Sequence, residues 1–164
     1  MKLKYLIMLI VILTLVGYQF NAFSQTISEL EYLSEGADLI LTGKVTQQSS
    51  EWNVDKTRIY TNATIQVEDY LKGNINEASI VVTYLGGEVG DVGELYTHMP
   101  KFEDDEEILV FLQRSQSTST YKVFNGEDGK LSIVYDKNTG EQVTASNVQI
   151  NSLKLQIKNF TKEQ

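Results

Sequence analysis

The segment "RIYTNATIQVEDYLKGN", residues 58–74, constrains the fold most, because its residues alternate between two phases. Ile59, Ala63 and Ile65 belong to the apolar phase, and the residues between them are mostly polar. A period of two over this length predicts a long strand with one face buried and the other in water. The fold must therefore contain a sheet that covers a core on one side only.

Five further segments have the pattern of strands. Residues 38–52 alternate in the same way, and Gly43 in their middle indicates a bend or the close approach of another backbone. Residues 78–87 form a third strand, and the nearly continuous apolar run in 106–115 predicts a central strand covered on both faces. The segments on either side of "GEDG" predict a hairpin, and "DKNTGE" predicts another turn.

An apolar spacing near 3.6 residues predicts a helix at each end of this series of strands. Residues 26–38 form the first helix, which Thr26 or Ser28 is expected to cap. The second helix, expected to be capped by Asn151 or Ser152, carries one apolar stripe: Ile150, Leu153, Ile157 and Phe160. Short antiparallel strands leave sticky edges unless their sheet closes. We therefore expect a mainly β fold, a small closed antiparallel barrel with a short N-terminal helix and a C-terminal helix.

The first 24 residues have the pattern of a secretory signal peptide. Lys2 and Lys4 precede an apolar run over residues 5–16, and the small residues Ala22 and Ser24 stand at positions −3 and −1 of a cut. A membrane anchor is the alternative, but a run of roughly 12 residues is short against the roughly 20 that span a bilayer. We expect export to the periplasm or the extracellular space, and a single domain over residues 25–164.

Charge and cysteine content restrict the partners and the source of stability. The chain has 22 acidic and 14 basic residues and a net charge of −8, and two of its lysines lie in the segment expected to be removed. Nucleic-acid binding is disfavoured, because phosphate contacts need clustered Lys and Arg. The chain has no cysteine, so no disulfide can form in an oxidising compartment, and burial alone must hold the fold.

A glycine-rich stretch, "GGEVGDVGE", follows the third strand and raises the question of a ligand loop. A phosphate cradle is disfavoured, since Glu88 and Asp91 would repel phosphate and no Lys-Ser/Thr pair follows. Gly86, Gly87 and Gly90 suit the positive φ angles of a chain that turns a barrel corner. Because residues 86–102 form a long excursion between strands, a recognition loop is the alternative interpretation of this stretch.

The remaining candidate sites would bind zinc or calcium, and the residue types and their spacing favour neither metal. Zinc needs three or four His, Cys or carboxylate ligands, and His98 is the only histidine. The acidic cluster 103–107 suits calcium or, more simply, a solvated turn. The stretch from Asp136 lacks the final glutamate of a calcium loop, since Asn147 stands there. We expect no metal, no cofactor and no catalytic residue.

Aromatic residues near the first predicted turn suggest a binding patch. Trp52 and Tyr60 flank that turn and could form a small exposed surface for a sugar or a peptide, or could fill the barrel rim. Paired carboxylates for glycoside cleavage would arise by chance among so many acidic residues, and the pattern indicates no aromatic-lined cleft around them.

Three segments taken together resemble a known arrangement. They are "ADLILTGKV", "IYTNATIQVEDYLKG" and "GGEVGDVGELYTHMPKFEDDEEILVFL". Their order resembles a widespread, poorly characterised family of exported bacterial domains, which occur alone or beside metalloprotease domains. It is also similar to the netrin and tissue-inhibitor-of-metalloprotease module, an OB-type barrel. The resemblance spans Ala37 to Val134 and implies an OB-like barrel, although the cysteine with which the inhibitors chelate zinc is absent here.

The expected function is therefore that of an exported, non-enzymatic binding or interaction domain of the bacterial cell envelope or extracellular space. Its partner is expected to be a protein or another ligand in that compartment. One alternative is a regulator or inhibitor-like partner of an exported metalloprotease, which the resemblance implies, and another is a carboxylate-based hydrolase. The residues expected to bind are Trp52, Tyr60, Gly86, Gly87, Glu88, Gly90, Asp91 and His98.

Overall fold

The computed structural model of the chain describes residues 27–115 and 119–162. The chain divides into two compact units, one up to Tyr32 and one from Leu33. Residues 27–32 of the first unit are helical, and the second unit contains the sheet. The expected signal peptide over residues 1–24 and the expected cap Thr26 lie outside the described residues.

Most of the described chain is β-structure. The helices are α1 (27–36) and α2 (Ile150–Lys162), and a 3₁₀ turn spans Gly126–Gly129. The strands are β1 (Leu39–Trp52), β2 (Ile59–Lys72), β3 (Ser79–Leu85), β4 (Gly87–Val89), β5 (Val92–Glu94), β6 (Glu107–Arg114), β7 (Tyr121–Val123), β8 (Lys130–Tyr135) and β9 (Gln142–Thr144).

Five of these strands close into a barrel, which confirms the expected fold class. The main sheet runs β1-β2-β3-β7-β6-β8-β9, and β1 also pairs with β6. The ring β1-β2-β3-β7-β6 is therefore closed, and its connectivity is that of an OB-like barrel. All of its pairs are antiparallel except β3 with β7, which are parallel and joined by a single residue pair, Val82 with Tyr121. We call this junction the seam.

Apolar side chains fill the barrel from the inward faces of the long strands. Leu41, Ile65, Val82 and Val110 belong to this core, and Phe102 joins it from the segment that precedes β6. The alternation predicted for β2 is confirmed, since its inward residues are buried through Ile65 and its outward residues are more exposed. The outcome follows from the period of two, because only one face of β2 meets the interior.

The strand β6 is the central strand that its apolar run predicted. It pairs with β1 along one edge, while β7 and β8 share the other edge. Both of its faces are covered: Val110 faces the core, whereas Leu109 and Phe111 are fully buried on the opposite side. Helix α2 contacts β2 and β9 and buries Ile150 and two further residues of its predicted stripe.

The bend predicted at Gly43 is present in β1. The register of β1 against β2 shifts next to Gly43 and at two other positions. A Cβ at Gly43 would lie 2.4 Å from the Gln66 carbonyl oxygen, so the two backbones approach more closely than any side chain permits. These irregularities bend β1 so that it pairs with β2 over its length and with β6 over its first half.

Two local predictions were wrong. The segments around "GEDG" do not form a hairpin, because β7 and β8 both pair with β6 and residues 126–129 form a 3₁₀ turn. The central strand offers a longer apolar partner than the two short segments offer each other. Helix α2 begins at Ile150, so Asn151 and Ser152 lie inside its first turn and do not cap it.

The buried hydroxyl of Thr42 yields a stability prediction. Thr42 is 1% exposed, and within the described residues its Oγ1 has no hydrogen-bond partner. An unsatisfied buried polar group costs about 1–3 kcal/mol, so Thr42→Val should raise the free energy of unfolding by about 1 kcal/mol. Denaturant unfolding of both proteins measures the difference.

Thr61→Val is the matched control. The Thr61 hydroxyl is also buried, but it donates to the Gly86 carbonyl at 2.6 Å. Its loss should lower the free energy of unfolding by about 1 kcal/mol or more, because the Gly86 carbonyl loses its partner. A destabilised Thr42→Val protein would contradict the assignment of an unsatisfied hydroxyl.

Candidate functional site

A cleft of about 650 Å³ opens beside the seam. Its walls are the C-terminal half of β3, all of β7, the turn end of the β1–β2 hairpin, and the residues Met99 and Pro100. Clefts of this volume are the usual size of ligand sites. We call it the seam cleft.

The β1–β2 hairpin contributes the two aromatic residues that the sequence singled out. Trp52 is the last residue of β1 and pairs with Ile59, whereas Tyr60 pairs with Glu51. Because side chains alternate along a strand, the side chains of Tyr60 and Trp52 point to opposite faces of the β1–β2 hairpin. Both line the seam cleft, Tyr60 with 37% of its surface exposed.

A chain of hydrogen bonds crosses strands β1, β2 and β3 in the wall of the cleft and ends at Thr120, the residue before β7. Asn62 Nδ2 donates to Glu51 Oε1 at 3.2 Å, and Asn62 Oδ1 accepts from the Thr83 hydroxyl at 2.7 Å. The Thr83 and Thr120 hydroxyl oxygens are 3.0 Å apart. These bonds use one of the two carboxylate oxygens of Glu51 and one of the two amide hydrogens of Asn62. The second oxygen and the second hydrogen can therefore bind a ligand.

Charge and residue type limit what the cleft can do chemically. Among its described lining residues the only charged ones are Glu51 and Lys122, and none is a histidine. Glycoside cleavage needs two carboxylates, and a serine triad needs a base beside its nucleophile. The lining is otherwise aromatic, apolar or neutral and polar, which suits recognition of an uncharged ligand.

The inner wall of the cleft is rigidly supported. The Tyr84 ring lies 5.5 Å from the Phe102 ring, and its hydroxyl donates to Gln48 Oε1 at 2.9 Å. Burial raises the pKa of the Tyr84 phenol, so this hydroxyl stays protonated and keeps donating at neutral pH.

The glycine-rich stretch forms a corner and a small hairpin. Gly86 N donates to the Ile59 carbonyl at 2.8 Å, which ends the pairing of β3 with β2. Gly87 has φ 129°, and a Cβ there would lie 2.2 Å from Thr61 Oγ1, so both its conformation and its space require glycine. The hairpin β4–β5, which the sequence analysis did not predict, turns at Gly90 and Asp91.

Residues 86–102, which we call the strap, are held at both ends. Glu94 Oε2 accepts from the Ile59 amide at 3.0 Å and from the Tyr96 hydroxyl at 2.9 Å. The Ile59 amide, with help from Tyr96 and Arg58, holds the pKa of Glu94 below its usual range. Farther along, the His98 carbonyl accepts from the Glu127 amide at 3.1 Å. The strap thus extends from β2 to the 3₁₀ turn and places Met99 and Pro100 against the cleft.

Two residues of the acidic cluster, Asp105 and Glu106, form ion pairs with lysines. Asp105 forms an ion pair with Lys44 at 2.7 Å, and the Lys44 ammonium lowers the pKa of Asp105. Glu106 is largely buried and accepts from Lys130 Nζ and from the Ser132 hydroxyl. No three His, Asp or Glu side chains converge to hold a metal ion anywhere in 27–115 or 119–162.

The stretch from Asp136 is a hairpin turn, as the sequence favoured over a calcium loop. It connects β8 to β9, and Asp136 Oδ1 accepts from the Asn138 and Thr139 amides at 2.8 Å. These two bonds lower the pKa of Asp136, because they stabilise its charged form. The carboxylate is therefore used within its own turn.

The structure gathers some of the expected binding residues and separates others. Trp52 and Tyr60 line the seam cleft, and Gly86 and Gly87 form the corner beside its β3 wall. Glu88, Gly90 and Asp91 lie on the β4–β5 hairpin and are absent from the lining of the cleft. His98 lines a neighbouring shallow pocket, with its side chain 84% exposed and Nδ1 3.2 Å from Glu127 Oε1.

Sequence reasoning missed Asn62, Thr83, Met99 and Pro100 as lining residues. A signal existed for Asn62 and Thr83, since both belong to the outward, polar phase of their strands. None existed for Met99 and Pro100, because the course of the strap depends on contacts with distant residues.

No protein-family model matches the chain, and no curated protein is significantly similar to it. Within the described ranges, neither helix combines the length and the apolar character that crossing a bilayer demands.

Proposed function

We propose that this chain is an exported, non-enzymatic binding domain of the bacterial cell envelope or extracellular space, and that it holds its ligand in the seam cleft. The observation that carries the proposal is the composition of this cleft. It combines aromatic and apolar surface with neutral polar groups that are already oriented by hydrogen bonds. Ligand sites in proteins have this composition, with apolar area for affinity and a few fixed polar groups for orientation.

A binding role is supported over catalysis by what the cleft contains. Its one carboxylate, Glu51, is hydrogen-bonded to Asn62 and stands in the exposed phase of β1. Glycoside cleavage needs a second carboxylate that acts as a nucleophile or activates water. The described lining of the cleft holds no second carboxylate.

Export is proposed from the signal-peptide pattern of the first 24 residues. Full-length protein produced in a bacterium with a general secretion pathway should appear outside the cytoplasm with Gln25 as its first residue. The small residues Ala22 and Ser24 set the cut, so Ala22→Leu should block or shift it. Intact-mass measurement of the exported fraction tests this, and a full-length cytoplasmic product would contradict it.

The cleft can be tested through its own fluorophore. Trp52 is the only tryptophan of the chain, so its emission reports directly on the cleft. Titration with a pool of capped, uncharged peptides or a pool of neutral oligosaccharides should give a saturable change. Tyr60→Ala should weaken that binding by about tenfold or more, about 1.4 kcal/mol, because aromatic anchors carry much of a binding energy.

Tyr135→Ala is the matched control, since Tyr135 is an exposed strand tyrosine outside the cleft. It should bind as the wild type does. The proposal fails if neither pool changes the Trp52 emission, or if Tyr60→Ala and Tyr135→Ala bind equally well. If an exported metalloprotease is captured instead, the same two variants show whether the cleft is involved.

A further inference from the structure

We infer that the ligand of the seam cleft is a neutral saccharide, with one sugar ring against Tyr60 and two neighbouring ring hydroxyls on Glu51 and Asn62. The inference rests on the proposed function, because it names the ligand class of the same cleft. It is carried by one aromatic ring, one carboxylate and one amide that the strand register places together.

The register of β1, β2 and β3 brings these groups to one face of the sheet. Tyr60 pairs with Glu51 on β1 and with Leu85 on β3, and Asn62 pairs with Thr83 on β3. Directly paired residues project from the same face, and so do residues two positions apart on one strand. All five residues line the seam cleft. Tyr60 therefore has a carboxylate on the neighbouring strand and an amide about 7 Å along its own strand, a spacing that one sugar ring can bridge.

The carboxylate and the amide suit the hydroxyls of a sugar. Asn62 Nδ2 donates to Glu51 Oε1 at 3.2 Å, which holds the two groups side by side and leaves one oxygen and one hydrogen for a ligand. Each sugar hydroxyl is both a donor and an acceptor. One hydroxyl can therefore donate to Glu51 while its neighbour accepts from Asn62, and the charge of the carboxylate strengthens the first of these bonds.

The aromatic ring supplies the apolar part of the site. Tyr60 is 37% exposed, although its strand is paired on both sides at this position. A sugar ring carries C–H groups on its faces, and such groups pack against the electron-rich face of an aromatic ring. Leu85, the β3 partner of Tyr60, extends this apolar surface.

The strand order and the charge of the lining favour a neutral saccharide over other ligands. A peptide bound by strand addition needs a free sheet edge, whereas β2 lies between β1 and β3, and β7 lies between β3 and β6. Recognition in the cleft therefore depends on side chains. The charges of Glu51 and Lys122 cancel in the lining, while the whole chain carries −8, so an acidic glycan would be repelled.

The first experiment screens an array of neutral oligosaccharides and then titrates each glycan that binds, followed by the Trp52 emission. Binding should be saturable, and its affinity should change less than about twofold between low and high salt, because no net charge is neutralised. Tyr60→Ala should weaken it at least tenfold, and Tyr135→Ala should bind as the wild type does. An affinity that falls steeply with salt would overturn the inference.

Two glutamine variants test the carboxylate. Glu51→Gln keeps the size of the side chain and removes its charge, so it should weaken glycan binding about tenfold. Glu68→Gln is the matched control, because Glu68 is an exposed glutamate of β2 outside the cleft lining. It should leave binding unchanged. Thermal melts establish that both variants fold, and equal binding by the two would overturn the inference.

Deoxy analogues of the bound glycan test the hydroxyls in the wild-type protein and need no variant. Removal of either hydroxyl of one neighbouring pair should weaken binding at least tenfold, and removal of a hydroxyl elsewhere should weaken it much less. The sugar C–H resonances that face Tyr60 should shift upfield on binding, because they enter the shielding region of its ring. Deoxygenation that is tolerated at every position would overturn the inference.

The failure of this inference is distinguishable from the failure of the proposed function. Tyr60-dependent binding of an uncharged peptide, without binding of any saccharide, would overturn the inference and leave the proposed function intact. Absence of any Tyr60-dependent binding would remove both.

Discussion

The antiparallel ladder between β1 and β6 is the interaction on which the rest of the structure depends. It runs from Leu39 with Leu112 to Lys44 with Glu107, and it converts a curved sheet into a ring. Because the chain has no cysteine, closure rests on these hydrogen bonds and on the apolar side chains that they enclose. The bend at Gly43 is a condition for this ladder, since β1 must reach both β2 and β6.

Closure is strong on one side of the barrel and weak on the other. Six residue pairs join β1 to β6, whereas a single pair joins β3 to β7. The strap lies beside the weak side, fixed to β2 through Glu94 and to the 3₁₀ turn through His98. The seam cleft therefore results from the weak closure between β3 and β7. Its aromatic and amide side chains belong to strands that the barrel itself requires.

The amino-acid sequence predicted those features that depend on local periodicity. The burial of one face of β2, the central position of β6 and the buried stripe of α2 all follow from the spacing of apolar residues along each segment. It also predicted that Gly86 and Gly87 turn a corner, because glycine tolerates angles that other residues do not.

Features set by distant contacts were not predictable. Whether β7 pairs with β8 or with β6 depends on which partner buries more surface, and both short strands carry the same alternating pattern. The placing of Met99 and Pro100 in the lining of the seam cleft depends on the course of the strap. The sequence places Trp52 and Tyr60 beside one turn, but it did not reveal that β7 also lines the cleft that both residues reach.

The unequal closure of the barrel can be measured most directly by amide hydrogen exchange, followed by NMR, in the free protein. The amides of the β1–β6 ladder should exchange only through global unfolding. Those of Thr83 and Tyr121 at the seam should exchange at least a hundredfold faster, through local opening that depends weakly on denaturant. Equal protection at the seam and in the β1–β6 ladder would contradict this account.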